Sequence, residues 1–540
     1  MGIPHLTPLL QPYSTPTILG CKTPQCKLHP TAPPRSLIID GPALAYHVYH
    51  KLLAHKPERL GALDAVPSYG EMGEAVLGWL GEVEGFGVGI SSIYFDGYLP
   101  PHKQGTRLQR LENGRQELRA FKAQHRAGVA IPCSAASRFA EAPVTASMLF
   151  SDSRVSRRRG VPAAPFLVAS VIETLAESRY AAVSEVVPGE ADGFCAIAAR
   201  EASHGVVVFT NDSDLLVHDV GREGRIAFLS QVEIGTEDGE MEYSDPCTTL
   251  RVNTFHTLEI AHRLGVDNPQ RLAFEITSHP STTLHAAIRR ATQPPSSPPL
   301  LATFLSAFNP NPSTPNIPPQ TRHAIRYLDP RVSELLLQTL HHTPIINIYL
   351  PPLLEDPDRA SAWTSSLPHR AFTYACLQYH APSLPHRSPL AETVRKGDRI
   401  ATAQVAWLNP SDTLAHARRL LRELEDHEGD RRGSGGGEGD TAAGFWRSYV
   451  VSRSAGMEMG TQAAGNGERD KGWWSWGDVQ SAARIEAGLY SLRILRQVLR
   501  YLVAVETALP RSIIELHRKM ASLPPLKIMM GTGLEDVPTW

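Results

Sequence analysis

The sequence predicts an α/β fold, a mostly parallel Rossmann-like sheet flanked by helices, with a largely α-helical C-terminal region. Three observations predict it. Between residues 37 and 230, short β-rich apolar runs alternate with longer stretches whose apolar residues return every three or four positions, the pattern of a parallel sheet covered by helices. Acidic residues stand at the ends of several of the runs. Beyond residue 320 the amphipathic stretches have helical period.

Strands are expected at Leu37–Asp40, Ser92–Asp96, Ala181–Val187, Gly205–Thr210 and Arg225–Ser230. Helices are expected between them at about 42–55, 70–84, 103–127, 162–178 and 190–203. Pro-rich tracts at 293–299 and 309–319 break the pattern and are expected to form extended connections, since proline fixes φ and removes a donor. Further on, Val332–Leu340, Thr413–Glu425 and Arg484–Thr507 read as amphipathic helices. The Gly- and charge-rich stretch at about 428–445 cannot bury enough surface to order itself. No internal repeat of fixed period is found.

A chain of 540 residues exceeds what one hydrophobic core usually supports, which points to one N-terminal domain and a second unit. The 53 basic and 55 acidic residues leave a formal charge of -2, so any nucleic-acid binding must come from local clustering. No apolar stretch approaches the roughly 20 residues of a membrane-spanning helix, which excludes that class. The six cysteines are scattered and the N-terminus lacks a signal-like core, which favours a reduced intracellular compartment.

Asp40 closes the run Leu37-Ile38-Ile39-Asp40, and Asp96 closes Ile93-Tyr94-Phe95-Asp96; glycine follows both. Val206–Thr210 runs into Asn211-Asp212-Ser213-Asp214, and Val186-Val187-Pro188-Gly189 leads into Glu190-Ala191-Asp192 at a helix start. Ligands of open α/β sheets bind at the carboxyl ends of strands, so these acids point at one crevice. A single Asp in such a place is more often a helix cap or turn former, but capping does not require three strands and a helix start to deliver acids to the same edge. Carboxylates a few ångströms apart repel by about 4 kcal/mol per pair at an effective dielectric of 20, so the cluster demands protons or cations. Hard divalent ions, Mg²⁺ or Mn²⁺, suit oxygen ligands, and two of them about 3.5–4 Å apart can support phosphodiester hydrolysis. Cys195 and His218 flank the acids and read as packing or surface residues.

The opening Met1-Gly2-Ile3-Pro4, with Ile39-Asp40-Gly41, Phe95-Asp96-Gly97, Pro188-Gly189-Glu190-Ala191-Asp192 and Thr210-Asn211-Asp212-Ser213-Asp214, resembles the flap-endonuclease/XPG superfamily, most closely its Asteroid-like branch. The resemblance implies a PIN-like nuclease domain over residues 1–250, with an N-terminal motif at 1–20 and an internal motif at about 181–230. It implies two divalent ions held by Asp40, Asp96, Glu190, Asp192, Asp212 and Asp214, with Asp192 where a Glu is usual. Lys103 and Arg110, in the segment Pro100–Arg110, take the superfamily's catalytic basic positions, and Gly2, Arg107, Arg115 and Arg119 are expected to touch nucleic acid. Lys122, Arg126, Arg154 and Arg157-Arg158-Arg159 extend the basic character. A further acid and DNA-gripping helices normally follow. Asp267, Glu275 and His279 lie in that stretch without the expected context, so residues 251–292 are read as a helical extension in their place.

Residues 293–320 are then a Pro-rich connection and 321–540 a helical region offering surfaces to protein partners. The function implied is a structure-specific, metal-dependent nuclease acting on DNA with single-strand/duplex junctions, or on RNA, in the nucleus. The rival is a weakened or inactive scaffold of the same fold, and a phosphatase or nucleotide-handling enzyme is a third reading. Zinc is not expected at Cys21, Cys26 and His29, because structural zinc takes four ligands. Trp473, Trp474 and Trp476 suit either stacking on unpaired bases or anchoring the tail on a core.

Overall fold

The computed structural model describes residues 3, 5–22, 36–56, 60–130, 144–151, 160–237, 247–308, 317–341, 343–433, 441–455 and 473–530. Its main sheet is built from β1 (Thr15–Cys21), β2 (Ser36–Asp40), β3 (Gly89–Asp96), β5 (Ser184–Val187), β6 (Val206–Thr210), β7 (Gly224–Phe228), β8 (Glu233–Glu237) and β9 (Cys247–Phe255); β4 (Val129–Ala130) lies outside it. The order is β1-β9-β7-β6-β2-β3-β5, with β8 also on β9. The five strands from β5 to β7 run parallel, as expected.

The antiparallel margin of β1, β8 and β9 was not expected, and β9 runs across the anticipated boundary at residue 250. Its sequence, Cys-Thr-Thr-Leu-Arg-Val-Asn-Thr-Phe, alternates only partly and carries a mid-strand arginine, so its signal is weak. Runs of Val and Ile in β2 and β6 are apolar throughout because both sheet faces are covered. Helices Gly41–His55, Tyr69–Gly85 and Leu167–Ala176 share one core with one face, around Trp79, while Ala191–Glu201, Thr257–Leu264 and Pro269–Ser278 pack with Ile38, Val206 and Val208 on the other.

The chain moves from β2 out to β3 and β5, then returns past β2 to β6 and β7. The order therefore reverses at β2, which opens a crevice at the carboxyl ends of β2, β3 and β6. Glycine is required where β2 and β3 leave the sheet. A Cβ on Gly41 would lie 2.4 Å from the Phe95 ring, and one on Gly97 would lie 2.1 Å from the Val187 carbonyl oxygen.

The second half is not wholly helical. Strands β10 (Ile346–Tyr349), β11 (Leu390–Lys396) and β12 (Arg399–Val405) form a small mixed sheet, and β13 (Trp473–Trp474) pairs with β4. The sheet escaped sequence reading because β11 carries Glu392 and Arg395 on buried positions, which breaks the polar/apolar alternation. Their charges are matched inside the protein: Arg370 forks Glu392 at 2.7 and 3.0 Å, and Arg395 meets Glu355 at 2.7 Å.

The predicted helices are present as Pro330–Leu340, Pro410–Gly433 and Trp476–Val505. The last begins earlier than expected because Ser475 and Asp478 form a reciprocal cap. The proline tracts were misjudged in part. Pro298 and Pro319 open the helices Pro298–Ala307 and Pro319–Ile325, where a missing N–H is harmless. Residues 428–433 continue a helix rather than lying in a disordered stretch.

The two halves share a core. Phe166 stacks on Tyr490 with ring centroids 3.8 Å apart, and Arg493 bridges Glu173 at 2.9 Å and Asp329 at 2.6 Å.

Candidate metal centre

Each acid of the crevice is placed by backbone features that the sequence motifs encode. Asp40 ends β2 and is buried; its Oδ1 accepts from the Ala43 amide at 3.2 Å and its Oδ2 from the Thr210 hydroxyl at 2.7 Å. Thr210 in turn accepts from the Asp212 amide at 2.9 Å, so one hydroxyl ties the ends of β2 and β6 together. Asp96 ends β3 and accepts from the Ala191 amide at 2.7 Å, the first turn of helix Ala191–Glu201. That helix N-terminus, whose dipole favours anions, also carries Glu190 and Asp192. Asp212 caps the short turn Ser213–Val217 by accepting from the Asp214 amide at 3.0 Å.

The acids act on one another. Burial pushes the Asp40 pKa up to about 7, and the charges of Asp96 and Asp212 add to the rise against the Thr210 hydrogen bond. Asp192 is raised well above the ordinary range by burial and by Asp40, Asp212 and Asp96. Asp214 is raised to about 6 by burial and Asp212. Glu190 is also raised, by burial first, although Lys103 opposes the shift. These mutual influences link all six acids into one cluster.

Lys103 closes the short turn before helix Gln104–Gln124 and is the cation of the cluster, 2.6 Å from Glu190 and 3.9 Å from Asp214. Burial works against its charge, but Glu190, Asp192 and Asp214 outweigh burial and hold its pKa above the usual lysine value. Arg110, two turns further along the helix, is exposed and makes no ion pair among the described residues.

The other basic residues expected to grip nucleic acid are paired inside the molecule. Arg107 binds Glu334 of helix Pro330–Leu340. Arg115 forks Glu112 at 2.6 and 2.9 Å and lies 3.6 Å from Asp398, which also binds Arg119. Lys122 is held by Asp356 and, at 2.8 Å, by Asp358. Gly2, Cys26, His29, Arg154 and Arg157–Arg159 lie outside the described residues. Cys21, expected as a reduced thiol, is disulfide-bonded.

Among the candidates for a seventh acid, Glu275 is engaged with Arg271 at 2.5 Å, Arg290 at 3.3 Å and His279 at 3.7 Å, and Asp267 is exposed. Sequence reading missed Glu334, a buried carboxylate whose pKa is raised by burial, lowered by Arg107 and raised again by Asp96. A charged residue on the core side of Val332–Leu340 was its one signal. Cys195 and His218 pack in the core as expected; burial pushes the thiol up and the imidazole down to about 4. Trp476 anchors the tail, buried with its Nε1 donating to the His125 carbonyl at 2.8 Å, while Trp473 is exposed.

Fold and site together define an α/β sheet protein with an acidic crevice at its topological switch, fronted by one lysine. Residues 163–407 match the model of a family described as XPG domain containing, a stretch that holds Glu190, Asp192, Asp212 and Asp214 and ends beyond β12. The match supports a nuclease-like domain related to the XPG/flap-endonuclease superfamily, a class that binds nucleic acid. No curated protein matches the chain. Among the described residues, no helix is long and apolar enough to cross a membrane.

Proposed function

We propose that the crevice is the centre of a divalent-metal-dependent nuclease that hydrolyses phosphodiester bonds in DNA with single-strand/duplex junctions, or in structured RNA. The observation that carries this reading is the mutual electrostatic influence of six carboxylates at the sheet's switch point, three of which, Glu190, Asp192 and Asp214, act on Lys103.

The donor set fits hard cations. All six side chains offer oxygen, their charges exceed what Lys103 can balance, and the Lys103 ammonium already stands between Glu190 and Asp214 as a counter-ion would. Among the described residues no three His, Cys, Asp or Glu side chains are close enough as they stand to hold a metal ion, so binding one requires the carboxylates to draw together. Asp40, Asp96, Glu190, Asp192, Asp212 and Asp214 would hold two such ions, which would neutralise the acids and activate water for attack on phosphorus. Thr210 fixes the Asp40 carboxylate, and the helix N-terminus fixes Asp96. Lys103 balances charge beside the phosphate, and Arg110 reaches the polymer from the exposed side of its helix. A place in the Asteroid-like branch, and a nuclear location, rest on the resemblance of the N-terminal motifs.

Purified full-length protein, incubated with flap, single-stranded and duplex oligonucleotides and Mn²⁺, is expected to yield cut products that disappear in Asp212→Ala. Absence of product on every substrate, with the chain folded, would leave a non-catalytic scaffold as the better reading.

A further inference from the structure

Two of the fully buried arginines, Arg370 and Arg395, are saturated by protein acceptors, whereas the third, Arg493, keeps an Nη2 that is unpartnered among the described residues. Arg395 gives Nε to Glu355 and both terminal nitrogens to backbone carbonyls, and Arg370 likewise uses Nε, Nη1 and Nη2 on Glu392, Ser366, Ser491 and Trp363. Arg107 is different. Its Nη1 binds Glu334, and among the described residues that carboxylate is its sole hydrogen-bond partner. A guanidinium has five N–H donors in a rigid fork, so most of those on Arg107, whose side chain is 26% exposed, are left to solvent or to a ligand.

The plane of the fork is nevertheless fixed. Its carbon lies 5.0 Å from the centre of the Tyr349 ring in β10, and Glu334 itself is buried, with a side chain 10% exposed. Arg107 stands one helical turn beyond Lys103, about 6 Å along the axis. Lys103 marks the acidic crevice at 2.6 Å from Glu190, and Glu334 lies within electrostatic reach of Asp96. The oriented fork therefore sits one turn along the helix from Lys103, beside the acidic crevice.

We infer that Glu334 and Tyr349 are positioning residues that hold the Arg107 guanidinium toward the backbone phosphate next to the one being cut, an assignment that rests on the nucleic-acid reading above. The second half of the chain then completes the substrate grip, since both residues come from it.

The test is binding of a fluorescent single-stranded oligonucleotide to the full chain in Ca²⁺ buffer, followed by anisotropy across a salt series. Arg107→Ala should weaken binding about tenfold, the scale of a lost charge-assisted hydrogen bond. It should also flatten the log–log salt slope by about 0.7, the share of one single-strand phosphate. Glu334→Gln and Tyr349→Leu should each weaken binding by about three- to tenfold with a flatter slope. Glu334→Gln should add nothing in the Arg107→Ala background, because it acts through that arginine. A structural defect would lower the active fraction and leave the slope unchanged.

Wild-type affinity and slope in both Glu334→Gln and Tyr349→Leu overturn the inference. So does tighter binding by Glu334→Gln, which would make the carboxylate a block on Arg107, and so does a wild type that binds no oligonucleotide. A wild type that binds with these variant effects yet cuts nothing in Mn²⁺ overturns the nuclease reading and leaves the positioning role standing.

Discussion

Thr210→Val removes one hydroxyl and keeps the side-chain shape; it takes a donor from Asp40 and, with it, the acceptor of the Asp212 amide. The hydroxyl donates to Asp40 Oδ2 at 2.7 Å and favours the charged carboxylate, against burial and the fields of Asp96 and Asp212 that hold the pKa near 7. A hydrogen bond to a charged group contributes about 1.5–3 kcal/mol, and 1.36 kcal/mol corresponds to one pH unit, so its loss should raise the Asp40 pKa by roughly one to two. At neutral pH the carboxyl would then be protonated in the metal-free protein. A divalent ion must displace that proton, so Mn²⁺ affinity at pH 7 should fall roughly 10- to 100-fold and recover as the pH is raised. Calorimetric titration with Mn²⁺ at pH 6, 7, 8 and 9 measures both effects. An affinity within twofold of wild type at every pH would refute the argument, since the hydroxyl would then not govern the ionisation of Asp40.

Other expectations follow from single contacts. Arg493→Met takes one of its two arginines from buried Asp329, leaving Arg331 at 3.9 Å and the Tyr490 hydroxyl, and should destabilise the protein by about 3 kcal/mol, the low end for a broken buried pair, read as a lower urea midpoint, with Asp329→Asn restoring part of the loss. Gly97→Ala drives a methyl against the Val187 carbonyl and the Ser333 hydroxyl, which should cost about 1–3 kcal/mol and reduce Mn²⁺ binding with it; unaltered thermal unfolding would show that the strand exit yields freely. His47 and His218 are buried and neutral, with burial pushing their pKa values down to about 3 and about 4. The unfolded chain takes up protons first, so their contribution is intact above pH 6.5 and falls by up to about 1.4 kcal/mol per pH unit for each as pH drops from 6.5 toward 4. Wild type and His47→Gln/His218→Gln should therefore draw closer in stability over that window, and parallel curves would contradict the assignment.

The central parallel strands were legible because β2 and β6, covered on both faces, are continuous runs of Val, Ile, Leu and Phe ending in turn formers. The acids could be read for the same reason, as charges standing where a buried run stops. What stayed hidden depends on pairing across long sequence distances. Glu392 and Arg395 look like surface residues until Arg370 and Glu355 are brought to them, so β11 could not be seen. Arg107 and Arg119 look like part of a free basic face because their acidic partners, Glu334 and Asp398, lie more than 220 residues away. Proline was over-read as a breaker, since its cost vanishes in the first turn of a helix.

Phe166 and Tyr69 belong to the sheet half, yet they are sealed by helix Trp476–Val505. A fragment ending near residue 250 would bare those rings and leave Glu173 without Arg493. Such a piece would carry a sticky apolar flank in place of an interior, so anyone wishing to handle the acidic crevice in isolation must express the sealing helix along with it.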